Sequence, residues 1–138
     1  MILLDTSGLL AALFPDQRLH VECVQALLGA EGPLLLSPFV LAELDYLISK
    51  LAGVDIELAF LEEVERGAYH LQDFSSADLG RARTVIEQYR DLDIGLADAS
   101  IVVLAERYGV TNILTLDERH FRTLQGPSGS FRLLPADL

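Results

Sequence analysis

Short apolar runs of strand length alternate along this chain with longer segments of helical spacing. Met1 to Leu4 reads as a strand, Ser7 to Phe14 as a short helix ended by Pro15, and Arg18 to Leu28 as a helix closed by Gly29. Leu34 to Leu36 is again apolar, set between Pro33 and the Ser37-Pro38 pair, and Pro38 to about Leu51 follows as a helix with proline near its first turn. Asp55 to Glu65 reads as helical and ends at Gly67. Tyr69 to Leu71 predicts a third strand, and SSADLGRARTVIEQYR carries a capping serine and the apolar spacing of a long helix. LADASIVVLAERYG is a mostly apolar helix stopped by Gly109, and a strand at Asn112 to Thr115 and a short helix after Asp117 follow. GPSGS, residues 126–130, reads as a flexible loop before a last strand near Phe131 to Leu134.

Strands separated by helices predict an α/β fold, a central mostly parallel sheet with right-handed crossovers and helices on its flanks. With no repeat and no linker composition, residues 1–138 read as one domain. Ligands of such sheets bind beyond the carboxyl ends of the strands. The lone Cys23 forms no intramolecular disulfide and no Cys/His set has zinc spacing, which points to a reducing, cytoplasmic setting. The first charge is Asp5 and the first basic residue Arg18, so the start lacks the pattern of a signal peptide, and every apolar run is too short for a membrane span. Hydrophobic residues make up 51% of the chain. Their excess predicts apolar surface covered by a partner or a second copy, most simply in a homodimer.

Charge changes the picture further. The formal net charge is −11, with Lys50 the only lysine, so the basic footprint of a nucleic-acid binder is missing. Yet acids recur where a ligand would sit. Ile2 to Leu4 runs straight into Asp5, Thr6 and Ser7, and Ile113-Leu114 leads through Thr115 to Asp117, which puts two acids at the carboxyl edge of the sheet. Asp98 shares a helical face with Ile101, Val102 and Ala105, and Glu43 is flanked by Phe39 and Val40 one turn before and by Tyr46 and Leu47 one turn after, so both are expected to point toward the core side. Singly, each acid reads equally as a helix cap or half of an ion pair. Together they form a cluster of like charges, and with one lysine in the chain the cheaper counterion is a divalent metal. Hard oxygen donors and no thiolate pair favour Mg²⁺ or Mn²⁺, one or two ions, which suits phosphodiester hydrolysis.

The ordered set LLDTS, VLAEL, LADAS and ILTLDERHF resembles the PIN-domain ribonucleases, most closely the VapC toxins of bacterial toxin-antitoxin pairs, over nearly the whole chain. The resemblance implies Asp5 and Asp98 as central metal ligands, Glu43 and Asp117 completing the acidic site, often through water, and Thr6 and Thr115 orienting carboxylates or holding a water. It also implies a Mg²⁺-dependent endoribonuclease leaving 5′-phosphate and 3′-hydroxyl ends, a cognate antitoxin filling the acidic groove, and dimerisation. Two alternatives stay open: an acidic binding module for a basic partner, and a DNA-directed metal nuclease of the same fold. A haloacid-dehalogenase-like phosphatase is disfavoured because position 7 is Ser7 and Lys50 follows a helix, and phosphate-cradling glycine loops are missing. Asp45, Asp91 and Asp93 read as helix-surface or turn residues and His120 as a solvated helix-face histidine; Arg81, Arg83, Arg90, Arg119 and Arg122 are the arginine groupings available either to RNA phosphates or to neighbouring acids.

Overall fold

A computed structural model describes residues 1–138. Strands β1 (Ile2–Leu4), β2 (Leu34–Leu36), β3 (His70–Leu71), β4 (Asn112–Leu114) and β7 (Arg132–Leu134) form one parallel sheet in the order β3-β2-β1-β4-β7. Every residue of β1 is buried, as befits a central parallel strand covered on both faces. The chain runs outward from β1 through β2 to β3 and then returns to build β4 and β7 on the other side. The switch in direction therefore lies between β1 and β4, and the residues that leave those two strands are Asp5 and Thr115 to Asp117.

Seven α-helices connect the strands: α1 (Thr6–Leu13), α2 (His20–Leu28), α3 (Pro38–Ala52), α4 (Val54–Glu65), α5 (Ser76–Gln88), α6 (Leu96–Tyr108) and α7 (Glu118–Phe121). Helix α6 is buried almost all round, from Ala99 through Ala105 without a break, because it packs between β1 and α5. Its one buried polar side chain is satisfied: Ser100 Oγ donates to Ala97 O at 2.6 Å and lies 2.6 Å from Ser37 Oγ, which itself accepts the Phe39 amide as the cap of α3. One hydrogen-bonded chain thus fixes α3 against α6, the two helices that carry Glu43 and Asp98.

The alternation of apolar runs located these elements to within two residues at most termini. Helix α2 begins at His20 and not Arg18, because Leu19 takes a left-handed conformation, φ 62°, that no helix continues through. The GPSGS stretch differs in kind. In place of a loop it closes a small antiparallel hairpin, β5 (Gln125–Gly126) with β6 (Gly129–Ser130), across Pro127-Ser128, with Gly129 at φ +101° just after the turn.

Helix α1 approaches β4 so closely that a Cβ on Gly8 would stand 2.5 Å from Leu114 O and 2.6 Å from its carbonyl carbon. Only glycine fits, and the contact is backbone, so no side chain can swing aside. This close approach brings the first turn of α1 over the end of β4.

Candidate metal centre

Asp5 leaves β1 in extended geometry at the N-cap position of α1, but its carboxylate does not cap the helix. It is turned to the end of β4, only 5% exposed, and its Oδ2 accepts hydrogen bonds from Thr115 Oγ1 at 2.6 Å and Ser7 Oγ at 2.8 Å. The direction of those bonds is fixed by a second layer. The Leu116 amide donates to Ser7 Oγ and the Asp117 amide to Thr115 Oγ1, each at 2.9 Å, so each hydroxyl accepts from the backbone with a lone pair and donates its own O–H to Asp5. Burial pushes the Asp5 carboxyl above its usual range, and the charge of Asp117 adds to this, against the lowering effect of the Thr115, Ser7 and Thr6 hydrogen bonds.

Thr115→Val removes one of the two hydroxyl donors and strands the Asp117 amide. The expected cost is about 1–3 kcal/mol in urea unfolding. Because Ser7 and Thr115 share one oxygen, Ser7→Ala on top of Thr115→Val is expected to miss additivity by at least about 0.5 kcal/mol. Additive losses would mean that the two hydroxyls act independently.

Asp98 sits in the first turn of α6 with its side chain 19% exposed. Burial first, then the charges of Asp5 and Asp117, raise its carboxyl to about 6, against the lowering effect of His120 and the Gly95 amide. Asp117 is the N-cap of α7, its Oδ1 accepting the His120 amide at 3.1 Å. That leaves Oδ2 for the His120 ring, whose Nδ1 stands 2.8 Å from it and 3.6 Å from Asp98 Oδ2. Ligand atoms of Asp98, Asp117 and His120 all lie within 4.8 Å of one another, and Asp5 borders this trio closely enough for its charge to act on Asp98.

Three expectations change. Glu43 does not point into the core: the buried face of α3 is Val40, Leu44 and Ile48, and Glu43 is exposed beside an open groove of 460 Å³ lined by Thr6, Ala42, Tyr46 and Leu47. It is tied to the first acid through sequence, since Thr6 Oγ1 donates to Glu43 Oε1 at 2.7 Å and not to Asp5. His120 is not a solvated histidine; its ring is 20% exposed and faces the acids. Asp45 is not a free surface acid, since its Oδ1 is buried and its carboxylate, against Glu57 of α4, raises the Glu57 carboxyl. Ser7 and His120 were the residues left out of the candidate set. Their signals were positional: Ser7 lies in the same helical turn as Asp5, and His120 one turn beyond Asp117.

Asp91 and Asp93 are exposed turn residues, as their positions predict. Among the arginines, Arg81, Arg90 and Arg122 pair with Asp78, with Glu87, and with Glu118 and Asp137. Arg83 and Arg119 make no ion pair and are exposed.

No lysine or arginine pairs with Asp5, Asp98 or Asp117, although two of these carboxyls are pushed upward by burial and by one another. Carboxylate oxygens with one imidazole nitrogen and no thiolate form a donor set for a hard divalent cation, which would relieve that repulsion. The residues fit such an ion, with ligand atoms of Asp98, Asp117 and His120 close together and Asp5 bordering them.

Comparison with known proteins establishes the family and the fold. A family model described as PIN domain matches residues 2–126. Ribonuclease VapC26 of Mycobacterium tuberculosis is 44% identical over 97% of this chain and all of its own length. Among solved structures, M. tuberculosis VapC20, described as a toxin cleaving the sarcin-ricin loop, superposes with a TM-score of 0.77 at 16% identity over 85% of this chain and 90% of its own. VapBC2 from Rickettsia felis, bound to a DNA fragment from its promoter, gives 0.67 at 24% identity over 96% and 98%. FitAcB from Neisseria gonorrhoeae gives 0.59 at 23% identity over 86% and 88%. At those identities the three structures speak for the fold, while the family model and the full-length relative establish kinship. The chain belongs to the PIN-domain family, among its VapC-type members.

Proposed function

We propose that this protein is the toxin of a toxin-antitoxin pair, an endoribonuclease that hydrolyses RNA phosphodiesters with Mg²⁺ or Mn²⁺ held by Asp5, Asp98, Asp117 and Glu43. The observation that carries this reading is the meeting of Asp5, Asp98 and Asp117 at the switch between β1 and β4 with no basic side chain but His120 to balance them. The full-length relationship to a ribonuclease supports the choice of RNA over DNA. One or two ions would be held by Asp98 and Asp117, with Asp5 beside them and Glu43 joined to the set through Thr6.

A divalent ion supplies a Lewis acid for the phosphate oxygens and lowers the pKa of water. The chain's own residues do the rest. Ser7 and Thr115 hold Asp5 in one orientation, and Thr6 holds Glu43. Arg119 on α7 and Arg83 on α5, exposed and without an ion pair, are the arginines left to take RNA phosphates. The apolar groove beside Glu43 suits an antitoxin segment that joins apolar anchors to a basic side chain. Exposed Leu51, Val54, Ile56 and Leu58 around the α3–α4 corner give a second copy an apolar surface to cover, in a cytoplasmic homodimer.

Purified, antitoxin-free protein is expected to cleave RNA in Mg²⁺ or Mn²⁺, to stop in EDTA, and to leave DNA of matching sequence intact. Cleavage of DNA instead would move the protein to the alternative nuclease reading, and metal binding without cleavage of either polymer would favour a binding module. The pH dependence has a defined sign. With its carboxyl raised to about 6, Asp98 favours the metal-free fold below its unfolded value, and that contribution is lost as pH rises through about 6. Metal binding needs the ionised form, so the rise in melting temperature produced by Mn²⁺ is expected to grow between pH 5 and pH 7.5, read by scanning calorimetry. A shift that stays constant over that range would contradict the coupling of Asp98 to the ion.

A further inference from the structure

The His120 ring stands among the acids of the metal centre, and its Nδ1 has a geometry of its own. Its Nδ1 is buried and stands 2.8 Å from Asp117 Oδ2, yet it lacks the alignment of a hydrogen bond to any partner. A histidine that served only to neutralise Asp117 would point a proton along that line. The other partly buried histidine, His20, does pair in the ordinary way, with Nδ1 2.7 Å from Ala11 O.

Distances around Nδ1 match a different task. Ligand atoms about 2.1 Å from one six-coordinate ion lie about 3 Å apart when adjacent. Nδ1 is 2.8 Å from Asp117 Oδ2 and 3.6 Å from Asp98 Oδ2, and all three residues' ligand atoms fall within 4.8 Å of each other. The backbone holds the ring in place, because the His120 amide is bound by Asp117 Oδ1 and the two side chains rise from adjacent positions of one helical turn.

Resting on the metal-centre reading above, we infer that His120 Nδ1 is itself a ligand of the ion, so that the centre is a carboxylate–imidazole site that prefers Mn²⁺ to Mg²⁺. Imidazole nitrogen binds Mn²⁺ more readily than Mg²⁺, which is held almost wholly by oxygen. An all-carboxylate site would show far less preference between the two.

The test is pulsed electron paramagnetic resonance of Mn²⁺ alone bound to the full-length, tag-free protein in imidazole-free buffer, with calorimetric titration of Mn²⁺ and Mg²⁺. Wild type is expected to show ¹⁴N modulation on the Mn²⁺ signal, and His120→Asn, which puts an oxygen where Nδ1 stood, to bind Mn²⁺ without it. The same variant is expected to weaken Mn²⁺ by about tenfold and Mg²⁺ by less than about threefold. Mn²⁺ bound by wild type with no ¹⁴N modulation, or modulation that survives in His120→Asn, overturns the ligand role of His120; if Asp98→Asn still abolishes Mn²⁺ binding, the metal centre itself stands. Failure of wild type to bind Mn²⁺ at all overturns both. The wild-type spectrum decides the matter even if a variant folds poorly.

Discussion

Asp5→Asn is expected to lower RNA cleavage by about a thousandfold or more while the protein stays folded. Asparagine has the shape of aspartate, and its carbonyl can take the place of Oδ2, accepting from Ser7 and Thr115 as before. What disappears is the negative charge. In a metal-free protein that loss removes a buried carboxylate whose burial and like-charged neighbours oppose ionisation, so at neutral pH the variant is expected to melt no lower than wild type. Mn²⁺ should then raise the melting temperature of wild type and leave that of Asp5→Asn nearly unchanged. A variant that melts several degrees lower without metal would show that Asp5 is a structural acid, and the reading of its burial as a functional cost would be wrong.

Gly8→Ala is expected to cost about 3 kcal/mol, at the upper end for an overpacked site, and to lower the melting temperature by roughly 10 °C. The added methyl meets the Leu114 carbonyl at 2.5 Å, and its relief requires helix α1 to lift off β4. Lifting α1 pulls Ser7 away from the Leu116 amide and from Asp5, so cleavage should fall along with stability. The control is Gly80→Ala on α5, where an added Cβ meets nothing within 4 Å; it should be neutral or slightly stabilising. Equal stability of Gly8→Ala and Gly80→Ala would contradict the close approach of α1 to β4.

These two positions also show what was legible before the fold was known. The apolar runs Ile2 to Leu4, followed by Asp5, and Ile113-Leu114, leading to Asp117, announced acids at the carboxyl edge of a parallel sheet, because a short buried strand leaves no other place for them. Helix α6 was equally plain, with apolar residues on almost every face. Glu43 was harder. Helix α3 carries apolar residues on two faces, Val40, Leu44 and Ile48 toward the core and Tyr46 with Leu47 along an open groove, and neighbours in sequence cannot tell which face is inside. Ser7 and His120 were missed for another reason. Ser7 reaches residues more than a hundred positions away only because Gly8 lets the helix settle on the strand, and His120 meets Asp98 only once α7 folds against α6. The hairpin at 125–130 has two residues per strand, too few to show any alternation.

The burial of unpaired carboxylates and their position at the sheet's switch point converge on one account, in which stability of the metal-free protein is given up for a place to hold a cation against a phosphodiester. Its most direct test is the chemistry of the cut ends. RNA cleaved by the wild-type protein in Mg²⁺ or Mn²⁺ should carry 5′-phosphate and 3′-hydroxyl termini, the products of attack by water on phosphorus, with none formed in EDTA. Fragments ending in 2′,3′-cyclic phosphate, formed in EDTA as readily as in metal, would mean that the ribose 2′-hydroxyl attacks, and that the meeting of Asp5, Asp98 and Asp117 serves something other than metal-dependent hydrolysis.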